Sequence, residues 1–314
     1  MNKILVIVGP TATGKTSLGI YLSKKYGGEI VSADSRQVYK YMDIGTGKEW
    51  DDTIKIWGYD LIDPKEKYSV SDYFKSMKLV ISHIWSRNKL PIIVGGTGLY
   101  VKSLIDGIAT VDIPKNENLR ISLESLKKQE LFEKLAVLDS SKAALLNSSD
   151  KKNPRRLIRA IEVATWMIEN ETSKVEVEKR KNVLDKNVSV LQIGLFAENS
   201  EMQNRIGKRV EKRIEEGFID EVEDLLKMGV SWKHQSMNSI GYKDSEKFFK
   251  KGETYEDFVN NWVGNEMKYI KRQLTWFKKD KRIEWFNISD LGYPKNVEKK
   301  VNKWYSIKRN AKKD

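Results

Sequence analysis

Eight residues near the start of the chain, Gly9-Pro10-Thr11-Ala12-Thr13-Gly14-Lys15-Thr16, fit the pattern G-x-x-x-x-G-K-[ST]. They follow the apolar run Ile4-Leu5-Val6-Ile7-Val8 and precede Leu18 and Leu22, which share one face at helical spacing. That context suits a loop turning from a strand into a helix. Glycines let such a loop fold until backbone N–H groups converge on an anion. Lys15 adds a point charge, the helix N-terminus adds its dipole, and the Thr16 hydroxyl can hold Mg²⁺. Gly9, Thr11, Ala12, Thr13, Gly14, Lys15 and Thr16 are therefore read as a phosphate cradle. The motif does not specify ATP. "PIIVGG" (91–96) ends in glycines where a Walker B Asp would stand, and "NKLP" (88–91) has Pro91 where a guanine-reading Asp would stand.

Other residues could share the crevice, because ligands of open α/β sheets bind beyond the carboxyl ends of the strands. Asp34 and Ser35 end "GEIVSADS" (28–35), read as the second strand. Asp34 is placed to act as a base or a Mg²⁺ partner, or to cap a helix, a position that Asp and Ser favour. Gly95-Gly96-Thr97-Gly98 ends a third strand. Its small residues permit close backbone approach and Thr97 brings a hydroxyl, although tight strand–helix packing would explain the same glycines. Arg205, Arg209 and Arg213 recur at i, i+4 and i+8 beside Ile206, Val210 and Ile214. Aimed at the crevice they would neutralise a diphosphate; otherwise they form a solvated face. In "NPRRLIRAIEV" (153–163) and just beyond, Leu157, Ile161, Ala164 and Ile168 point inward. Arg155, Arg156 and Arg159 are left for RNA phosphates or surface ion pairs. Trp232, Trp262, Trp276, Trp285 and Trp304 could stack on bases, though such residues ordinarily pack in cores.

The elements that must carry these residues alternate. Strands at 3–8, 28–35 and 90–95 are separated by helices. One helix lies within "YSVSDYFKSMKLVISHIWSR" (68–87), where Tyr73, Met77, Val80 and Ile84 share a face and Ser71 or Asp72 is placed to cap. This alternation predicts a parallel α/β sheet. The pattern turns helical after about 112, a strand returns at 188–196, and helices dominate 200–280. The expected division is 1–114 for the first part of the α/β core, 115–186 for a helical insertion, and 187–314 for the return strand with a basic helical part. The tail beyond 295 reads as a frayed helix.

The chain has 314 residues, 39% hydrophobic, with no cysteine and only His83 and His234 as histidines. That excludes a disulfide framework, a thiolate metal site, a Cys nucleophile and a His-rich metal centre. No apolar run approaches the roughly 20 residues of a membrane span, and the N-terminal stretch is too short for a signal peptide, so a cytoplasmic setting is expected. The net charge of +13 is uneven: 1–150 carries 21 basic and 18 acidic residues, and 151–314 carries 36 and 26. A basic half suits a polyanionic partner; it also suits a Lys-rich solvated surface.

Taken together, "GPTATGKT", "VSADSRQVYKYMDIGTGK", "DPKEKYSVSDYF", "IIVGGTGLY", "NPRRLIRAIEV", "EEGFIDEV", "SIGYK" and "KRQLTWF" resemble the bacterial tRNA dimethylallyltransferases, also called tRNA isopentenyltransferases. The motifs run in family order over about 3–286. The resemblance implies a P-loop NTPase-like core and transfer of a dimethylallyl group from dimethylallyl diphosphate to the exocyclic amine of the adenosine just 3′ of the anticodon. It implies Mg²⁺ on Thr16, the cradle holding the donor's diphosphate, Arg209 reaching that diphosphate, Asp34 as general base and Thr97 at the reacting centre. Ser35, Arg36 and Gln37 match the segment holding the extruded adenine. Arg155, Arg156, Arg159, Gly241, Tyr242, Lys243, Arg272 and Gln273 match segments touching the tRNA anticodon stem-loop. A monomer is expected. The alternatives are an adenylate isopentenyltransferase acting on a free nucleotide, a small-molecule P-loop kinase, and a tRNA-binding protein without catalysis. This chain departs from the family pattern at "GTGKE" (45–49), commonly "GTAKP", and at Arg213, commonly an apolar residue and often Met. "NSSDKK" (147–152) is longer than in many members, and 295–314 follows no family pattern.

Overall fold

The computed structural model describes residues 1–179 and 187–306; the end of the expected insertion, 180–186, and of the tail, 307–314, lie outside the described residues. Six strands form one parallel sheet: β1 (Lys3–Val8), β2 (Gly28–Ser32), β3 (Ile56–Trp57), β4 (Leu90–Gly95), β5 (Ser189–Phe196) and β6 (Ile283–Asn287). Their spatial order is β3-β2-β4-β1-β5-β6. Leaving β1, the chain skips a place to reach β2, returns to β4, and later crosses to β5 on the far side. The order therefore reverses around β1 and β4, where a parallel sheet opens a crevice at its carboxyl edge. β1, β2 and β4 are buried at nearly every position, as apolar strands covered on both faces must be.

Chain contacts divide the molecule into two compact units, Met1–Ile105 with Leu184–Asp314, and Asp106–Val183. In the first, Leu18 and Leu22 of the helix Lys15–Tyr26 pack on Leu5, Ile7, Ile30, Ile92 and Ile193. The helix Val70–Ser86 begins two or three residues earlier than a cap at Ser71 or Asp72 requires. Ser69 is its N-cap, and Asp72 closes a reciprocal capping box from the third helical position. Two strands, β3 and β6, are not visible in the sequence pattern. β6 pairs with β5 from Gln192↔Ile283 to Phe196↔Asn287. The tail expected to fray is instead a helix, Lys295–Ser306, whose Val297 and Val301 join the sheet's core. Trp304 donates from its indole N–H to the Ser189 hydroxyl at 2.9 Å, which ties this basic helix to the start of β5.

The second unit is helical. Its longest helix, Pro154–Glu169, starts with Pro at the first turn behind Asn153 as N-cap. Leu157 and Ile161 pack with Leu123, Leu131, Leu135 and Ala143. Ala164 is buried, but Ile168, expected to face inward, is 58% exposed. The same helix buries Glu162, which accepts from Arg120 Nε at 2.8 Å and from the Asn116 backbone N–H at 2.6 Å.

Candidate functional site

A crevice of about 410 Å³ opens in the first unit at the carboxyl edge of β1, β2 and β4. Thr11, Ala12, Gly14, Lys15 and Thr16 line it from the loop after β1, and Asp34, Ser35, Arg36 and Gln37 from the segment after β2. Gly9 and Thr13 stand behind the loop. Gly9 abuts β5, where a Cβ would lie 2.3 Å from the Leu195 carbonyl oxygen. Thr13 is buried and donates to the Pro10 carbonyl at 2.9 Å. These two brace the loop, and the remaining members face the space.

The crevice is electropositive on one side. Lys15 donates to the Pro10 carbonyl, and Arg209 donates to the Thr11 hydroxyl. Burial, with Arg209 nearby, brings the Lys15 ammonium down to about 7. Of the arginine stripe on the helix Asn199–Glu215, Arg209 and Arg213 line the crevice, while Arg205 pairs with Glu201 at 2.8 Å and lines a separate groove. At 3.6 residues per turn each i+4 step rotates by about 40°, so Arg205 and Arg213 point roughly 80° apart. The Thr16 hydroxyl lines the crevice and makes no hydrogen bond among the described residues. No group of three or more His, Cys, Asp or Glu side chains among the described residues is arranged for a metal. A Mg²⁺ ion at Thr16 would therefore complete its oxygen shell from a bound phosphate and water, as this hard cation commonly does.

The crevice also carries Asp34. No helix begins there, so the capping alternative gives way to a tight turn in which Asp34 Oδ1 accepts from the Arg36 backbone N–H at 2.8 Å. Thr97 stands one bond behind the lining: its Oγ1 accepts from the Ser35 N–H at 3.0 Å, and its own N–H donates to the Ala33 carbonyl at 3.0 Å. The segments after β2 and β4 are thus stitched together beside Asp34. Tyr269 lines the crevice as well; burial and the Asp34 charge push its hydroxyl up to about 12, so it stays protonated.

Gln273 joins the remaining loops. It is buried, its Oε1 accepts from the Thr11 N–H at 3.1 Å, and its Nε2 donates to the Gly96 carbonyl at 3.1 Å. Position 96 must be glycine for this approach, since a Cβ there would lie 2.1 Å from that Nε2. Glu266, Tyr269 and Gln273 recur at i, i+3 and i+7 on the helix Tyr255–Phe277 and all line the crevice. Sequence reading missed the first two. A polar line at helical spacing inside an amphipathic helix was the available signal.

A family model described as IPP transferase matches residues 37–280, and one described as isopentenyl transferase matches residues 2–59. The chain belongs to the IPP transferase family. It is similar to a protein named tRNA dimethylallyltransferase from Halothermothrix orenii, 38% identical over 301 residues, covering 94% of this chain and 90% of that one. It also resembles the crystal structure of the full-length tRNA isopentenylpyrophosphate transferase from Bacillus halodurans. There the TM-score is 0.70 at 34% identity, over 96% of this chain and 95% of that one. A eukaryotic dimethylallyltransferase acting on tRNA shares the fold, with a TM-score of 0.81 at 23% identity, over 96% of this chain and 78% of that one.

The residues expected to touch tRNA in this family divide by exposure. Arg272, Lys243, Arg155 and Arg156 are exposed; Arg272 stands over the Tyr269 ring at 5.4 Å, and Arg156 pairs with Asp150. Several others make contacts within the protein. Arg159 spends its guanidinium on Glu162 and on the carbonyls of Thr110 and Ile113, at 2.9 and 3.1 Å. Tyr242 is fully buried, with its hydroxyl on Glu221. Gly241 backs onto the Trp262 ring, and Gln273 is the clamp described above. Among the segment expected to hold a base, Ser35 and Arg36 line the crevice half-exposed. Gln37 lines it too, with its amide committed to the Ser32 hydroxyl at 2.8 Å and the Gly47 carbonyl at 3.1 Å. Of the tryptophans, Trp262 is core, whereas Trp276 is 41% exposed. No described helix is long and apolar enough to cross a membrane.

Proposed function

We propose that this chain transfers a dimethylallyl group from dimethylallyl diphosphate to the exocyclic amine of the adenosine 3′-adjacent to the anticodon in tRNA. The observation that carries the reading is a single crevice lined by Lys15, Thr16, Arg209 and Asp34, with Thr97 bonded to the Ser35 N–H behind it. An allylic diphosphate leaves with heavy negative charge. Lys15, Arg209 and the loop amides are suited to stabilise that charge as it develops. Mg²⁺ held by Thr16 and the diphosphate would supply further charge neutralisation. The adenine amine is a weak nucleophile because its lone pair is delocalised into the ring. As its N–C bond to the prenyl carbon forms and the C–O bond to the diphosphate breaks, Asp34 takes the amine proton. Thr97, through its hydroxyl on Ser35, would hold the segment that carries Asp34. The target base leaves its stack to enter the crevice, at a cost of a few kcal/mol that is smallest in a loop. The exposed Arg155, Arg156, Lys243 and Arg272 are suited to the phosphates of the anticodon stem-loop. A cytoplasmic monomer is part of the proposal.

The test is incubation with dimethylallyl diphosphate, Mg²⁺ and unmodified tRNA, followed by nucleoside mass analysis. One adenosine per tRNA should gain a prenyl group. Prenylation of free AMP in place of tRNA would establish the adenylate reading, and phosphoryl transfer from labelled ATP the kinase reading.

The basic surface is tested separately. The logarithm of tRNA affinity should fall linearly with that of salt concentration, with a slope of about −0.9 per phosphate contacted in duplex. Arg272→Ala should weaken binding and flatten that slope by about one unit. An unchanged slope and affinity would return Arg272 to the solvated surface.

A further inference from the structure

Arg213 is 5% exposed, yet it makes no hydrogen bond among the described residues. Its one charged partner is Glu266, itself buried, at 3.5 Å from Nη1. At that separation Glu266 balances charge without a close hydrogen bond, and the guanidinium keeps donors for a ligand in the crevice it lines. The Trp262 ring lies beneath the guanidinium, 6.0 Å from centroid to Cζ, and offers no acceptor oxygen. Arg213 and Arg209 both line the crevice, two like charges side by side, and burial together with Arg209 brings the Arg213 guanidinium down to about 10. Two adjacent cations repel each other, and an anion between them relieves that repulsion.

The space for this second arginine comes from Gly47. A Cβ at that position would lie 2.4 Å from Arg213 Nη2 and 2.7 Å from Arg209 Nη2. Glycine at position 47 thus leaves room for both guanidinium groups at the crevice wall.

We propose that Arg213, admitted by Gly47 and held from behind by Glu266, is a second arginine that binds the donor's diphosphate in this chain. The assignment rests on the diphosphate reading of the crevice given above. A planar fork of donors can take two phosphate oxygens at once, so Arg213 would share with Arg209 the oxygens that Lys15 and the loop amides leave open.

Calorimetric titration of the full chain with inorganic pyrophosphate, in Mg²⁺ buffer, tests this without requiring turnover. Arg213→Met should weaken binding by about 10-fold to 100-fold, the loss expected for charge-assisted hydrogen bonds. Arg213→Lys should lose less. The KM for dimethylallyl diphosphate should rise in parallel while that for tRNA stays put. Arg213→Met leaves Glu266 buried without a partner, so the Arg213→Met/Glu266→Gln double variant is measured with a thermal melt and should show the same loss. Gly47→Ala should weaken pyrophosphate binding in the wild type and weaken it less in the Arg213→Met background, as expected for two coupled positions. Wild-type pyrophosphate affinity in Arg213→Met, beside a weakened Lys15→Ala, would overturn the assignment while leaving the prenyl-transfer reading intact. Arg213-dependent pyrophosphate binding without prenyl transfer to tRNA would do the reverse.

Discussion

Asp34→Asn should slow single-turnover prenyl transfer by about 10²–10⁴, the usual contribution of a positioned proton acceptor. Donor and tRNA are held at saturation, so the measurement reads the chemical step. The structure makes the variant a clean one. Asp34 accepts one backbone N–H, from Arg36, and no helix depends on it as a cap. An asparagine carbonyl can accept the same bond and keep the turn, but it cannot take the amine proton. Melting temperature and tRNA affinity should therefore change little. A near-normal rate would demote Asp34 to a turn residue and move proton acceptance to the departing diphosphate.

Lys15→Ala should lower the transfer rate by about 10²–10³, as when one preorganised donor to a developing oxyanion is removed. ATP should not be consumed by the wild type, and hydrolysis of ATP linked to turnover would replace the prenyl donor with a nucleotide. Lys15 also makes a pH prediction. In the ligand-free protein its pKa lies at about 7, against 10.5 for an ordinary lysine. A bound diphosphate favours the charged form and raises it. Pyrophosphate affinity is then fully present below about pH 7 and falls as pH rises through the interval up to the bound-state value, with proton uptake on binding. Calorimetry in buffers of different ionisation enthalpy measures that uptake, which Lys15→Ala should abolish. The stability effect has the opposite direction. Between about 7 and 10.5 the unfolded chain holds a proton that the folded one releases, so this group penalises the ligand-free fold most at low pH and less as pH rises. Lys15→Ala should accordingly not lower the ligand-free melting temperature near neutrality. A strongly destabilised variant would show that Lys15 holds the loop through its bond to Pro10.

The two arginines on the helix Asn199–Glu215 share one charge environment. Neutralising Arg213 removes repulsion from Arg209 as well as donors from the crevice. The Arg213 effect is therefore read as pyrophosphate affinity in single and double variants, and not as a sum of separate contributions.

The sequence alone determined the phosphate loop, the strands at 3–8 and 90–95, the return strand near 188–196 and the family. Each rests on local pattern: glycine and lysine at fixed offsets, apolar runs, and motifs in order. It also brought Lys15, Thr16, Asp34 and Arg209 to one crevice, because strand ends in a parallel sheet share an edge. Tertiary structure decided what each side chain meets there. Helical spacing groups Arg205, Arg209 and Arg213 on one stripe, and only packing shows that the last two enter the crevice while Arg205 pairs with Glu201. Gln273 looks like an RNA contact by motif, but its partners Thr11 and Gly96 lie 262 and 177 residues away. Tyr242 is claimed by Glu221, and Val297 and Val301 of the basic tail by the sheet. A periodic pattern encodes which face of an element is apolar, since that depends on neighbours three or four residues apart. It does not encode which distant element covers that face. The fit of Gly47 against Arg213 is of this second kind: the two stand far apart in sequence and meet only in the fold.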